Sequence, residues 1–535
     1  MSDFHFREDL KYQAKNGVRK VRAPFFRLVF SRTFLAGVLF ILQLALIYYL
    51  TFRLGKTYTF IAEAQVLLSG IIIIFIINSR SEPSYKLSWS LVVAVFPLMG
   101  AFMYAWAHFN LSEHRSFRRI NRNIRMSREY AATSEPIRTM IRAESREFRK
   151  LAYYVEHSGG FPAYTNTEVK YYSMGEYTFN DILDALEQAE EFIFMEFFII
   201  QPGVFWDNIL DILERKVDEG VEVRVMYDGV GCLSTLPYKY NRILEQKGIM
   251  SHAFSPITPF FSTHYNNRDH RKIIIVDGSI AFSGGFNLAD EYLNIYERFG
   301  KWKDNGFRLR GDAVRNYTLM FLQMWNAERD LDSNSGYRMY LETERIRKPD
   351  PDRDGLVIPY GDGPNNRDNV AKNVYIALIS GAKRHVDIMT PYLIPDNDTL
   401  HALKYAVKSG TDVSIIIPHI PDKKIVYLMS KSYVRELVES GVRIYEYMPG
   451  FVHTKMVVAD DLIAATGTVN MDFRSMYLHY ECGSIIYNND AVNDIEADFT
   501  ETLAECREIT PAEVRDWNPF YRLLAGIFRV FSPLV

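Results

Sequence analysis

Hydrophobic positions follow two different patterns along the chain. Near the N-terminus they form three long apolar stretches, at Thr33–Phe52, Tyr58–Asn78 and Leu87–Leu111. About 20 apolar residues in a helix span the hydrocarbon of a bilayer, so these stretches predict membrane helices. The third contains Pro97, which a membrane helix tolerates. Beyond residue 165 the pattern changes to amphipathic helices that alternate with short β-rich runs, which predicts an α/β region.

The α/β region is an internal repeat. Asp181–Gln201 runs from a helical pattern into a buried strand, and Asn373–Pro395 repeats that order. In both copies an amphipathic helix, a glycine and a second strand follow, then a helix and a histidine motif. We therefore expect two pseudo-symmetric α/β/α sandwich domains, preceded by transmembrane helices, with a duplicated site between them. The expected boundaries are 1–112 for the membrane region, 113–165 for a basic linker, and 166–345 and 346–535 for the two halves.

Charge complicates the topology of the membrane region. Residues 1–32 hold eight Lys or Arg against three acids, and residues 115–150 hold eleven against four. Positive charge favours the cytoplasmic side, so three full crossings would leave one basic end outside. Either one segment is re-entrant or interfacial, or the charge rule fails at one end. The linker is expected to be either a solvated helix or a polybasic stretch that anionic lipid headgroups attract.

The three cysteines are Cys232, Cys482 and Cys506, which lie far apart in the sequence. No two of them form a C-x-x-C pair, so the sequence predicts neither a disulfide framework nor a zinc site. We expect the α/β region to face a reducing compartment, on the cytoplasmic side of a multi-pass membrane protein.

The histidine motif occurs twice with the same spacing, H-x-K-x-x-x-x-D. Both copies also continue with glycine and asparagine at matching offsets, and two such matches inside a repeat argue against chance. The candidate catalytic residues are His270, Lys272 and Asp277 in the first half, and His453, Lys455 and Asp460 in the second. The candidate substrate-binding residues are Gly285, Asn287, Gly467 and Asn470.

This spacing suits phosphate chemistry. A histidine and a lysine two positions apart on a strand point to the same face, so imidazole and ammonium can converge on one phosphate. Glycines let the backbone approach an anion, and an asparagine amide can donate to it. Imidazole can act near pH 7 as a nucleophile or a proton donor, while lysines stabilise the charge of the transition state. We therefore expect neither a metal ion nor a cofactor.

These paired motifs resemble the signature of the phospholipase D superfamily, and the surrounding sequence is similar to bacterial cardiolipin synthases. The similar segments include NRDHRKIIIVDGSIAFSGGFNLADEY and GVRIYEYMPGFVHTKMVVAD. The resemblance implies that one histidine becomes phosphatidylated while the other handles protons. It also implies that Asp304 and Glu481 orient the imidazoles, with Asp304 next to His270 and Glu481 next to His453. His479 stands where the family often has asparagine.

The resemblance implies a phosphatidyltransferase that joins two phosphatidylglycerol molecules into cardiolipin and releases glycerol. His270 is the expected nucleophile, because relatives usually use the N-terminal motif. The expected partners are phosphatidylglycerol, anionic membrane lipids and the bilayer, and not nucleic acid. A hydrolase with the same chemistry, a different acceptor alcohol such as phosphatidylethanolamine, and a lipid-binding scaffold without turnover are the alternatives. Oligomeric state stays open.

Overall fold

The computed structural model describes Ala45 and residues 59–108, 111–256, 267–329, 335–341, 355–366 and 368–534. Apart from Ala45, the predicted membrane segment at Thr33–Phe52 therefore lies outside the described residues. The boundary expected between the halves, at residues 345 and 346, also lies outside them and stays a prediction.

The N-terminal apolar region folds as a small cluster of three helices. These are α1 (Thr59–Asn78), α2 (Pro83–Val95) and α3 (Pro97–His108). They pack around Ile76, Trp89, Val93 and Tyr104, while most of their other large apolar side chains are exposed. Gly100 lies directly against the backbone of Val92 and Val93, so α3 folds back on α2.

The predicted third membrane helix is therefore wrong as a continuous helix. It breaks at Phe96, because the ring of Pro97 disfavours helical backbone in the residue before it. Within the ranges that the structure describes, no helix combines the length and apolar character needed to cross a membrane. The expected crossings at 58–78 and 87–111 are thus not supported.

The basic linker forms three helices that pack on the α/β region. These are α4 (Leu111–Ser127), α5 (Glu135–Ala143) and α6 (Arg146–Tyr154). In α4, the Asn123 side chain donates to the backbone carbonyl of Gln323, whose own amide donates to Ser127. In α6, the Phe148 ring stacks on Tyr487 of the second half at 3.7 Å. The linker is thus part of the catalytic unit.

The strands of the first half are β1 (Thr167–Tyr172), β2 (Phe192–Phe197), β3 (Glu222–Asp228), β4 (Met250–Phe254), β5 (Arg268–Asp269), β6 (Lys272–Val276), β7 (Ile280–Gly284), β8 (Lys301–Lys303) and β9 (Gly306–Gly311). Seven of them form a sheet with the order β1-β9-β7-β6-β2-β3-β4. The inner strands β6, with the sequence KIIIV, and β2, with the sequence FIFMEF, have every side chain buried, as strands covered on both faces require. The helices are α7 (Phe179–Glu187), α8 (Val204–Asp218), α9 (Tyr240–Gln246), α10 (Val314–Arg329) and α11 (Ser335–Leu341).

The second half repeats this plan in a sheet with the order β10-β17-β16-β15-β11-β12-β13-β18. The strands are β10 (Leu356–Asp362), β11 (His385–Met389), β12 (Asp412–Pro418), β13 (Arg443–Tyr447), β14 (Gly450–Val452), β15 (Met456–Ala459), β16 (Ile463–Gly467), β17 (His479–Tyr487) and β18 (Cys506–Glu508). The helices are α12 (Val370–Gly381), α13 (Asn397–Lys408), α14 (Lys424–Ser440), α15 (Phe473–Tyr477), α16 (Asp490–Leu503), α17 (Pro511–Asp516) and α18 (Pro519–Val530). The predicted α/β fold with two repeated halves is confirmed. Both sheets mix parallel and antiparallel pairs.

Two short parallel ladders join the halves. β5 of the first half pairs with β17 of the second, and β14 of the second half pairs with β8 of the first. The first ladder places the segment before His270 beside the strand that contains Glu481. The second places the segment before His453 beside the strand that Asp304 follows. One continuous hydrophobic core also includes side chains from both halves. The halves thus meet at the two histidine motifs.

Candidate active site

The two motif histidines are buried and held at both backbone and side chain. The His270 N–H donates to the carbonyl of Tyr480 at 2.9 Å, and its Nδ1 lies 3.0 Å from both carboxylate oxygens of Glu481. The His453 N–H donates to the carbonyl of Lys303 at 2.6 Å, and its Nδ1 lies 2.7 Å from Oδ2 of Asp304. Each imidazole is therefore oriented by an acid from the opposite half.

This pairing corrects the expectation that each acid serves the histidine of its own half. Asp304 and Glu481 do lie at the imidazoles, but each contacts the histidine of the opposite half, and their orienting role stays a prediction. The two ladders that connect the halves cause the exchange, because each sets a histidine beside the acid-bearing strand of the other half. No local spacing in the sequence encodes a contact of this kind.

The geometry fixes which nitrogen of each ring is protonated. A carboxylate only accepts hydrogen bonds, so Nδ1 carries the proton in both rings and Nε2 keeps its lone pair. Burial lowers the pKa of His270, and the positive charges of Lys272 and Lys455 lower it further. Burial and Lys455 outweigh the attraction of Asp304 and lower the pKa of His453 to about 4. Both shifts favour the neutral form of the rings at pH 7.

The motif lysines lie fully buried beside the histidines. Lys272 Nζ donates to the backbone carbonyl of His270 at 2.8 Å, and Lys455 donates in the same way to the carbonyl of His453. Burial lowers the pKa of Lys272 to about 8 and that of Lys455 to about 7, against the opposing effect of Glu481 and Asp304. Two buried ammonium groups at one site favour an anionic ligand such as a phosphodiester.

The motif aspartates are not in the site, which corrects their assignment as catalytic. Asp277 follows β6 and accepts from the backbone N–H groups of residues 190, 191 and 192 at 2.8–2.9 Å. Asp460 accepts in the same way from residues 383, 384 and 385. Each aspartate follows its lysine by five positions, and five residues of extended chain cover about 17 Å. The aspartates therefore stabilise the ends of the sheets that lie away from the histidines.

The predicted substrate-binding residues also have other contacts. The Asn287 amide donates to the Tyr292 hydroxyl at 2.7 Å, and its oxygen accepts from the N–H of Ile199, so it positions a loop. Asn470 differs, because its buried Oδ1 has no hydrogen-bond partner within the described part of the chain. A Cβ at Gly285 would collide with Oδ1 of Asp304, and a Cβ at Gly467 would collide with the carbonyl oxygen of Cys482. Both glycines permit close packing behind the site.

Several residues near the histidines were not predicted from the sequence. The Thr468 hydroxyl donates to Glu481 at 2.5 Å, and the Trp302 indole donates to Asp304 at 3.4 Å. The Phe198 ring lies 4.9 Å from the His270 ring. An alignment of the two halves could have found Thr468, which follows Gly467, and Trp302, which lies two positions before Asp304. Phe198 has no such signal.

One group at the site could hold a metal ion. His270, His479 and Glu481 offer ligand atoms within 4.8 Å of one another, and so do His385, Asp387 and Glu496 away from the site. At the site, the nearby ammonium groups of Lys272 and Lys455 would repel a cation. The expectation of metal-independent turnover stays a prediction.

The duplicated fold and paired histidines define a protein of the phospholipase D type. A family model for the cardiolipin synthase phospholipase D-like domain matches residues 182–325 and 375–503, and a phospholipase D-nuclease N-terminal model matches residues 67–107. A cardiolipin synthase from Alkalihalophilus pseudofirmus is 36% identical over 90% of this chain and 94% of its own. The chain belongs to the cardiolipin synthase family.

Two further comparisons extend this result. An uncharacterized protein of Streptococcus mutans is 43% identical over 86% of this chain and 99% of its own. A phosphatidylserine synthase structure from Haemophilus influenzae matches with a TM-score of 0.55 and 16% identity, over 73% of this chain and 98% of that chain. The latter likeness shows the shared fold.

Proposed function

We propose that this enzyme transfers a phosphatidyl group from one phosphatidylglycerol to another, forming cardiolipin and glycerol through a phosphatidyl-histidine intermediate. One observation carries the proposal: two neutral imidazoles, each held at Nδ1 by an acid of the opposite half, share a site with two buried lysines. The Nε2 lone pair of one imidazole can attack phosphorus while the other imidazole transfers a proton.

In the first step, Nε2 of His270 attacks the phosphorus of phosphatidylglycerol. A nitrogen–phosphorus bond forms, the bond from phosphorus to the glycerol oxygen breaks, and His453 gives a proton to the departing glycerol. His453 must carry that proton beforehand. The phosphodiester anion offsets the field of Lys455 and raises the pKa of the His453 imidazole, while Asp304 stabilises the imidazolium.

In the second step, a headgroup hydroxyl of another phosphatidylglycerol attacks the same phosphorus. His453 accepts the hydroxyl proton, the nitrogen–phosphorus bond breaks and His270 is released. One phosphodiester replaces another, so the reaction needs no nucleotide. Lys272 and Lys455 stabilise the extra negative charge of both transition states.

We further propose a cell-membrane location, with the catalytic halves on the cytoplasmic side. Phospholipid substrates reside in the bilayer. The described cysteines are all free, and Cys232 and Cys482 are buried, as suits a reducing compartment. The multi-pass topology expected from the sequence is not supported, because no helix within the described ranges has the length and apolar character to cross a membrane.

The test is lipid analysis of purified enzyme supplied only with labelled phosphatidylglycerol. We expect cardiolipin and glycerol in equal amounts. Phosphatidic acid with glycerol, and no cardiolipin, would identify a hydrolase. Cardiolipin that forms only after addition of phosphatidylethanolamine, with release of ethanolamine, would mean that phosphatidylethanolamine is the phosphatidyl donor and that phosphatidylglycerol is only the acceptor.

A further inference from the structure

The C-terminal helix α18 carries an apolar face that no described part of the chain covers. Phe520, Leu523 and Ile527 lie on one side of it and are 64%, 61% and 47% exposed. The opposite side packs on α14, where Arg529 pairs with Glu436 at 2.7 Å and lies over the Tyr433 ring at 4.2 Å. The helix is thus fixed in place with its apolar side outward.

This face is connected to the apolar N-terminal cluster. The Ser88 hydroxyl of α2 donates to the carbonyl of Val530 at the end of α18, at 2.5 Å. Leu534, which follows α18, packs against the core of the α1–α3 cluster. The cluster itself exposes large apolar side chains on all three helices: Val66, Leu67, Ile71, Ile74, Leu87 and Phe102. Soluble proteins rarely expose so much contiguous apolar surface.

The same cluster is attached at the active-site edge of the second sheet. β11 ends at Met389, which pairs with Met456, the neighbour of Lys455. The segment after β11 leads into α13, where the Asn397 amide donates to the Ser84 hydroxyl of α2 at 3.1 Å. The α1–α3 cluster is therefore attached near the edge of the second sheet where Lys455 lies.

We propose that α18 is an interfacial membrane helix, which inserts Phe520, Leu523 and Ile527 into the headgroup–acyl boundary beside the α1–α3 cluster. The inference deepens the proposed function, on which it rests, because a lipid-transferring site gains from contact with the bilayer at its entrance. A bilayer fits this face better than a protein groove, because apolar side chains of two separate parts of the chain face outward together. α18 supplies a membrane contact that is independent of the N-terminal segments.

The test places an environment-sensitive fluorophore on Leu523→Cys in the full chain. The matched control is Leu462→Cys, whose native side chain is 37% exposed and lies beside Asp460 at the far end of the second sheet. Both proteins are reconstituted into phosphatidylglycerol–phosphatidylcholine vesicles, and the unsubstituted chain gives the background from native cysteines. We expect spin-labelled lipid to quench the label at position 523 and not at 462, and a soluble quencher to do the reverse.

Equal quenching of both labels by the soluble quencher would overturn the proposal. So would protection at position 523 without lipid quenching, accompanied by crosslinks between chains, which would identify a second copy as the occupant. Because the label reports contact and not turnover, the experiment can be repeated in a His270→Ala background. A failed lipid assay and a failed insertion are thus distinguished.

Activity gives a second readout. Leu523→Glu combined with Ile527→Glu should lower the rate on vesicles by about tenfold or more, since each exposed side chain buries apolar area in the bilayer. The rate in mixed detergent micelles should be unchanged. An unchanged rate on vesicles would contradict the proposal.

Discussion

The two half-sites share one frame but differ in the groups around the histidine. His453 is surrounded by the rings of Trp302, Tyr292 and Phe451, with centroids at 5.4, 5.5 and 5.8 Å. His270 faces Phe198 at 4.9 Å and His479 at 5.5 Å.

The difference extends to the acids. Asp304 accepts from an imidazole, an indole and the backbone N–H of Asn305, whereas Glu481 receives an imidazole through both oxygens and the Thr468 hydroxyl. The duplication thus preserved the parts that set proton positions, which are the ladder, the acid and the lysine. The surrounding groups changed, so the half-sites can divide nucleophilic and proton-transfer work between them.

The largest expected effect comes from neutralising each acid in turn. Glu481→Gln should impair His270, and Asp304→Asn should impair His453, each lowering kcat about 10²- to 10⁴-fold because the imidazole loses its tautomer and orientation. The two variants can be distinguished with a phospholipid whose headgroup leaves without being protonated. Formation of the covalent intermediate should recover in Asp304→Asn and not in Glu481→Gln. Recovery in Glu481→Gln alone would reverse the roles of the half-sites.

The lysines predict a loss of kcat/KM at high pH. Burial lowers their pKa values to about 7 for Lys455 and about 8 for Lys272. Raising the pH through this range removes the positive charges that stabilise phosphate, so kcat/KM should fall at least about tenfold per unit beyond the higher pKa. The measurement is a micellar pH–rate profile. If the Lys455→Arg enzyme is active, its profile should lack the step near pH 7, because arginine stays charged. A profile that is flat to about pH 10 would contradict the role of the lysines in stabilising phosphate.

The motif aspartates should affect stability without affecting chemistry. Asp277→Asn and Asp460→Asn each weaken a carboxylate that accepts three backbone N–H groups, so each should lower the free energy of unfolding by about 1–3 kcal/mol. Thermal unfolding measures this. The kcat of the folded fraction should stay within about twofold of the parent. A loss of kcat as large as that of the histidine variants would show that the aspartates take part in catalysis.

The smallest effect is expected at His479, where the half-sites differ most. Its side chain is 10% exposed, its Nδ1 lies 3.7 Å from Oε1 of Glu481, and neither ring nitrogen forms a hydrogen bond within the described residues. It occupies the place that Trp302 has in the other half, beside the acid. We expect His479→Asn, which keeps a donor, to change KM by less than about threefold, and His479→Phe to raise KM more than it lowers kcat. Equal effects of both variants on thermal stability and KM would indicate a packing role only.

The sequence predicted what is local or repeated. The two halves, the His–Lys pairs and the orienting acids follow from spacing and from the resemblance of the motifs. It could not predict the exchanged acids, since His270 and Glu481 are 211 positions apart and meet only through β5 and β17. It misplaced Asp277 because a motif shows which residues recur and not which end of a strand they occupy. Apolar composition likewise did not predict that the third apolar stretch breaks before Pro97.

The most direct test of the two-histidine account is to locate the covalent intermediate. His270→Ala and His453→Ala are each supplied with a phospholipid that carries an activated headgroup, and their peptides are examined by mass spectrometry. We expect a phosphatidyl group on His270 in the His453→Ala enzyme and no adduct in the His270→Ala enzyme. An adduct on His453 in His270→Ala, with none in the reciprocal variant, would contradict the assignment, and no adduct in either would contradict covalent catalysis.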